Sequence, residues 1–287
     1  MANCIACGRQ LPAFSFGTRS DVCPECRRTA VDVPNSWSST ANQTPPPQVR
    51  TGQVRSRRLP PVTTIIVGMN VAVFLGMLLS GVSLVEPTVL QLLKWGANYG
   101  PLTLQGQPWR LLTANYVHIG IIHIALNMWC LWNLGFLAER IFGGWTYFLI
   151  YTICGIAGSL ASTLVSMWRH PNVVGAGASG AIFGIAGALI AALYLGKLPI
   201  PKEALRGTMK SLLTFAAYNL FFGGVVAGID NSAHIGGLVA GLAVGAGLAK
   251  HLTSPPDVKE NWSRGIFLAS AIVLLVAYML LKRAVSQ

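Results

Sequence analysis

The chain has 287 residues, of which 53% are apolar and only 10% charged, with a formal net charge of +12. A soluble domain carries about a quarter charged residues, so an ordinary globular protein is excluded. The positive excess flanks long apolar runs, where Lys and Arg set membrane topology, and nucleic acid is not the expected partner.

Residues 1–28 form a compact Cys-rich head. Cys4-x2-Cys7 and Cys23-x2-Cys26, separated by fifteen residues, have the spacing of a four-thiolate zinc site. A unit of about 30 residues cannot bury enough core to fold alone, so bound metal would supply folding energy. Disulfides or redox-active pairs are the alternatives. The cytoplasmic placement inferred below argues against stable disulfides. Residues 29–61 are rich in Pro, Ser, Thr, Asn and Gln, carry the basic cluster Arg55, Arg57 and Arg58, and read as a disordered linker. The first 60 residues contain no apolar segment, so no cleavable signal peptide is expected. Cys130 and Cys154 lie within apolar runs and read as small core residues.

Seven apolar stretches follow, at about 62–82, 119–138, 145–167, 178–195, 211–228, 233–249 and 265–281. Each is a candidate membrane-spanning helix. The expected architecture is therefore an all-α polytopic membrane protein: a six-helix core over residues 62–250, then a loop and a seventh helix over 251–287. The N-terminal cluster, Arg140, Lys197, Lys202, Arg206, Lys210, Lys250, Lys259 and Arg264 fall on one side of this arrangement. Lys94, Arg110, Arg169, Lys282 and Arg283 fall on the other. The richer side is cytoplasmic, which places the N-terminus inside and the C-terminus outside. The plasma (inner) membrane of a bacterium is the expected location.

This topology sets Ser179 and His234 near the outer face, at the heads of two different spans. Polar groups within a bilayer are costly and are functional-site candidates by default. Ser179 lies in Gly177-Ala178-Ser179-Gly180, where small neighbours let another backbone approach and helix-start N–H groups can face developing negative charge. Taken alone, it could equally cap its helix. His234 has the side chain best suited to general-base work near neutrality, although a single intramembrane His is commonly structural. On the second span, His123 and Asn127 share a helix face and could donate hydrogen bonds to an oxyanion, or simply join helices. His118 lies five residues earlier. Gly237, Gly241 and Gly245, and Gly180, Gly184 and Ala188, recur every four residues. Facing one another, these two stripes would bring Ser179 and His234 within reach. No His-Glu-x-x-His helix occurs, and no pair of mid-span aspartates, so metallo- and aspartyl-type intramembrane hydrolysis are disfavoured. The absence of mid-span carboxylates also weakens a proton-coupled transporter.

The ordered set Trp109-Arg110, His118-x4-His123-x3-Asn127, Glu139-Arg140, Gly177-Ala178-Ser179-Gly180 and Ala233-His234-x2-Gly237-x3-Gly241 resembles the rhomboid family of intramembrane serine proteases, over about residues 60–250. The resemblance implies a Ser179–His234 dyad, with His123, Asn127 and the Ser179 backbone N–H as the oxyanion hole. It implies that His118 helps order water and polar groups, and that Phe183 packs beneath the His234 ring. Trp109 and Arg110 would anchor the outer loop in the lipid interface, and Glu139-Arg140 would stabilise the cytoplasmic end of the core. The family works without a third acidic residue, and Asp230 reads as a helix-start or loop residue. The implied substrates are single-pass transmembrane proteins, cut in or near the bilayer without a catalytic cofactor. The head would hold structural zinc and could bind a protein partner. A catalytically inactive rhomboid-like binder is the alternative, although such relatives typically lack the serine or the histidine.

Overall fold

The computed structural model describes residues 60–169, 173–226 and 228–285. The Cys-rich head and residues 29–59 of the linker lie outside the described residues. In chain order the elements are α1 (Pro61–Leu79), the short α2 (Val89–Lys94), β1 (Asn98–Tyr99), and the short α3 (Gly100–Leu104) and α4 (Arg110–Thr113). Then come α5 (Gly120–Phe142), α6 (Gly144–Arg169), β2 (Val174–Gly175), α7 (Ser179–Leu195), α8 (Lys202–Val225), α9 (Asn231–Ala249) and α10 (Pro256–Val285). In a bilayer every backbone polar group must find an internal partner, and an α-helix provides this within one segment.

Among the described residues five helices, α1, α5, α6, α9 and α10, are long and apolar enough to cross a membrane. They carry large apolar side chains that are mostly exposed, including Leu79, Ile122, Trp129, Leu268 and Val273. Lipid is the solvent that suits such a surface. The chain is thus a multi-pass membrane protein with a mostly helical fold. Two of the seven stretches marked from sequence differ from this pattern. α7 is apolar but has 17 residues, and thirteen of them are buried, so it is the central helix and meets other helices on all sides. α8 begins at Lys202, well before the expected Ser211, and carries Lys202, Glu203, Arg206 and Lys210 in its opening turns. Charge does not stop a helix, and Pro201 stands immediately before the first helical residue. In the same way α10 begins at Pro256, and α5 runs on to Phe142, so Glu139 and Arg140 sit within its last turn.

The centre of the molecule is built from α6, α7 and α9, and glycine lets their backbones touch. A Cβ at Gly237 would meet the backbone of Gly180; one at Gly241 would meet Gly184; one at Gly245 would meet Ala188. On the third side, a Cβ at Gly158 of α6 would lie 2.7 Å from the Ala233 carbonyl oxygen and 3.3 Å from the Gly180 Cα. Three consecutive small-residue steps therefore hold α7 against α9 at backbone contact.

Polar side chains fix both ends of the helix bundle. β1 pairs antiparallel with β2, Asn98 opposite Gly175 and Tyr99 opposite Val174, tying the connection after α1 to the segment that leads into Ser179. Asn98 donates to the Ser159 carbonyl (2.9 Å) and accepts from the Thr103 hydroxyl (2.8 Å), which seats that connection on α6. At the other end the Glu139 carboxylate accepts from the Val62 and Thr63 N–H groups at 2.9 and 2.8 Å, and from the Thr63 hydroxyl at 2.8 Å. It caps α1, whose own N-cap position is Pro60 and makes no side-chain bond. The Arg140 guanidinium lies over the Phe136 ring at 4.0 Å. α10 packs outside this core, with the Tyr278 hydroxyl donating to the Thr103 carbonyl (3.2 Å) and the Trp262 indole to that of Gly247 (2.8 Å).

Candidate active site

Ser179 is the first helical residue of α7. Ala178 occupies the N-cap position and makes no capping bond with its side chain. The first bond of the helical ladder runs from Ile182 N–H to the Ala178 carbonyl, leaving the Ser179, Gly180 and Ala181 N–H groups ahead of it. The Ser179 hydroxyl does not cap the helix; its Oγ lies 2.9 Å from His234 Nε2. Gly177 has φ +125°, a conformation that favours glycine, and a Cβ there would stand 2.8 Å from His123 Nε2. The turn before the serine therefore requires glycine twice over, for its dihedral and for the histidine packed against it.

His234 lies in the first turn of α9 and is 7% exposed. The Phe183 ring, one turn after Ser179, stacks on the imidazole at 4.4 Å between centroids and 12° between planes. Asp230 is the N-cap of α9: its carboxylate accepts from the Ala233 N–H at 3.1 Å and from the Ser232 hydroxyl. The residue facing the far ring nitrogen is Asn231, whose Oδ1 is 3.3 Å from His234 Nδ1. Sequence reasoning passed over Asn231. Its only signal is a position three before His234, on the same helix face.

His123 and Asn127 face the same site from α5. His123 Nδ1 accepts from the Ile119 N–H at 3.2 Å. In the neutral ring this puts the proton on Nε2, the nitrogen nearest Gly177, and makes it a donor. The Asn127 amide donates one N–H to the His123 carbonyl at 2.9 Å. That bond orients the carboxamide and leaves its second N–H available. His118 precedes α5 rather than lying on it. It is fully buried, with Nδ1 at 3.2 Å from the Tyr116 carbonyl and its ring 5.3 Å from that of His123, while Nε2 has no partner among the described residues.

Ser179, His234, His123 and Asn127 all line one cavity of about 500 Å³, with apolar walls that include Ile122, Leu126 and Phe215. A hydroxyl, an imidazole and convergent N–H donors in an apolar pocket can support acyl transfer. Gly180 and Gly237 are the first contact of the α7–α9 seam, one and three residues beyond the hydroxyl and the imidazole, and Gly241 is the next. Trp109 and Arg110 lie outside this cavity. Trp109 is half exposed, but Arg110 corrects the expectation of a lipid-interface anchor, because it is only 6% exposed. Its guanidinium donates to the Leu93 and Ala97 carbonyls at 2.9 and 2.8 Å and to Gln107 at 2.7 Å. The five-donor fork staples the connection between α1 and α5 to itself from within. Cys130 lines the cavity wall and Cys154 is buried against Gly184; both are free thiols.

Comparison with known proteins matches residues 105–251, just over half of the chain, to the Rhomboid domain. The Rhomboid protease GluP of Bacillus subtilis is 40% identical over 189 residues, which cover 66% of this chain and 35% of that protein. RHOMBOID-like protein 4 of Arabidopsis thaliana is 36% identical over 137 residues, 48% of this chain and 33% of that one. The Rhomboid protease AarA of Providencia stuartii is 31% identical over 201 residues, 64% of this chain and 70% of that one. The chain spans about a third of the length of the Bacillus and Arabidopsis proteins. With the domain matched over half of its residues and a relative aligned along most of its own length, this chain belongs to the rhomboid family.

Proposed function

We propose that the protein is an intramembrane serine endopeptidase that hydrolyses peptide bonds in or near the transmembrane segments of other membrane proteins. The observation that carries this reading is the 2.9 Å contact between Ser179 Oγ and His234 Nε2 at the wall of an apolar cavity. His234 Nε2 takes the hydroxyl proton as Ser179 Oγ attacks the scissile carbonyl carbon. The new oxyanion accepts from the Ser179 N–H, His123 Nε2–H and Asn127 Nδ2–H. On collapse of the tetrahedral intermediate the imidazolium returns its proton to the leaving amine, and Ser179 holds the acyl fragment as an ester. Water, deprotonated by the same imidazole, then releases the acid and restores the serine. Phe183, stacked on the imidazole, restrains its orientation throughout. His118, with an unshared Nε2, is suited to hold a water beside this machinery.

The test is cleavage of a single-pass model substrate in proteoliposomes. The wild type should cleave it and Ser179→Ala should not. A wild type indistinguishable from Ser179→Ala would instead indicate a rhomboid-like binder. The charge distribution supports a cytoplasmic N-terminus and a site opening outward. In intact cells an impermeant thiol reagent should then label Arg169→Cys and spare Lys202→Cys; the opposite pattern would invert the topology. We further propose that Cys4, Cys7, Cys23 and Cys26 hold one structural zinc, the donor set being four soft thiolates suited to that ion. Catalysis would not use it.

A further inference from the structure

Two neutral imidazole tautomers are available to His234, and only one can serve as the base. The Ser179 hydroxyl donates to Nε2 only if Nε2 is bare, so the ring proton must sit on Nδ1. We propose that Asn231 is the positioning residue of the dyad, selecting that tautomer and holding the ring in plane; the proposal rests on the Ser179–His234 reading. The Nδ1–H donates to Asn231 Oδ1 at 3.3 Å. This acceptor is presented by a second bond: Asn231 Nδ2 donates to the Leu220 carbonyl of α8 at 2.9 Å. Turning the carboxamide over would set its oxygen against that carbonyl, so the backbone of α8 dictates that the oxygen faces the histidine.

The surroundings agree. Gly223 of α8 stands beside the carboxamide, and a Cβ there would run into Asn231 Oδ1 and lie 2.8 Å from the carboxamide carbon. The glycine thus leaves room for the amide in the orientation observed. Asp230, the neighbouring acid, has one carboxylate oxygen accepting from Ala233 N–H and the Ser232 hydroxyl and the other without a partner among the described residues; the hydrogen bond to His234 Nδ1 is made by Asn231. A neutral amide gives the ring direction without setting a charge directly against Nδ1. Phe183 restrains one face of the imidazole and Asn231 one edge, which leaves Nε2 aimed at Ser179.

The experiment compares wild type, Asn231→Ala and Asn231→Leu in proteoliposomes, with Ser179→Ala alongside. Leu keeps the volume and removes the acceptor. Both Asn231 variants should lose about tenfold in kcat, the worth of one hydrogen bond, with KM changed less than about twofold. The chain has five His, so ¹⁵N-histidine NMR can follow the tautomer. The His234 Nδ1–H form should dominate in wild type and give way to a mixture in both variants. Should either variant fail to fold, Gly223→Ala provides an independent route. A helix-interior alanine favours helix formation, yet here it should displace the carboxamide and lower kcat in the same way. Wild-type kcat in these variants, with an unchanged His234 spectrum and an inactive Ser179→Ala, would overturn the proposal and leave the protease reading standing. An active Ser179→Ala would instead remove that reading itself.

Discussion

Replacing Gly241 with alanine adds one methyl group two turns below His234, on the face of α9 that touches α7. The new Cβ would lie 2.7 Å from the Gly184 carbonyl carbon and 2.8 Å from its Cα, where ordinary contact starts at 3.4 Å. The neighbour is backbone on both sides, so no side chain can rotate away. The Gly184 carbonyl oxygen is nearer still, so the two helices must separate locally by more than about 1 Å or tilt about this point. Overpacking of this kind costs about 1–3 kcal/mol. The larger effect is on geometry, because the Ser179–His234 contact of 2.9 Å is carried by the same pair of helices. Misplacing reacting groups by about 1 Å can cost about 10²-fold in rate. Gly241→Ala should therefore lose one to two orders of magnitude in kcat while remaining folded. Gly207→Ala on α8, whose Cβ would meet nothing within 4 Å, should leave both kcat and stability at or above wild type. Kinetics in proteoliposomes and thermal unfolding of the same preparations provide the assay. Wild-type turnover in Gly241→Ala would refute the claim that the glycine seam sets the dyad distance.

Asn127→Ala should keep the dyad and remove one oxyanion donor, lowering kcat by about 10²–10³ with little change in KM; unchanged kinetics would reassign Asn127 to packing of α5. Glu139→Ala should leave the Val62 and Thr63 N–H groups uncapped at the far end of the core. It should destabilise the protein by about 2–4 kcal/mol, the loss of several bonds to one charge, while the folded fraction keeps its kcat. Equal thermal stability of Glu139→Ala and wild type would rule out the capping role. Elemental analysis should find one zinc per chain, and a chelator should remove it without changing cleavage of a model substrate. Zinc well below one equivalent would end the four-thiolate assignment.

What could be read from sequence depended on whether a residue's role is local. The Gly237/Gly241/Gly245 stripe was legible because backbone contact between helices leaves no alternative to small residues at that spacing. Ser179, His234, His123 and Asn127 were legible as polar groups in places where polarity is costly. Arg110 reads from sequence as a lipid anchor because its partners are the carbonyls of Leu93 and Ala97, and the path of the connection between α1 and α5 is tertiary information. The start of α8 was placed late because Lys202, Arg206 and Lys210 mask a helix from a hydropathy reading without breaking it. The two-residue β1–β2 ladder carries too few residues to show a period. Asn231 next to Asp230 has the look of an ordinary helix start. Only the Leu220 carbonyl, eleven residues away on α8, shows which way its amide points.

Whether His234 activates Ser179 as a nucleophile is read out by mass spectrometry of the intact protein and its peptides after reaction with a fluorophosphonate, which phosphonylates an activated serine. One adduct per chain is expected, located on Ser179 and lost in both Ser179→Ala and His234→Ala. No adduct at Ser179, or undiminished labelling of Ser179 in His234→Ala, would rule out a nucleophile activated by His234.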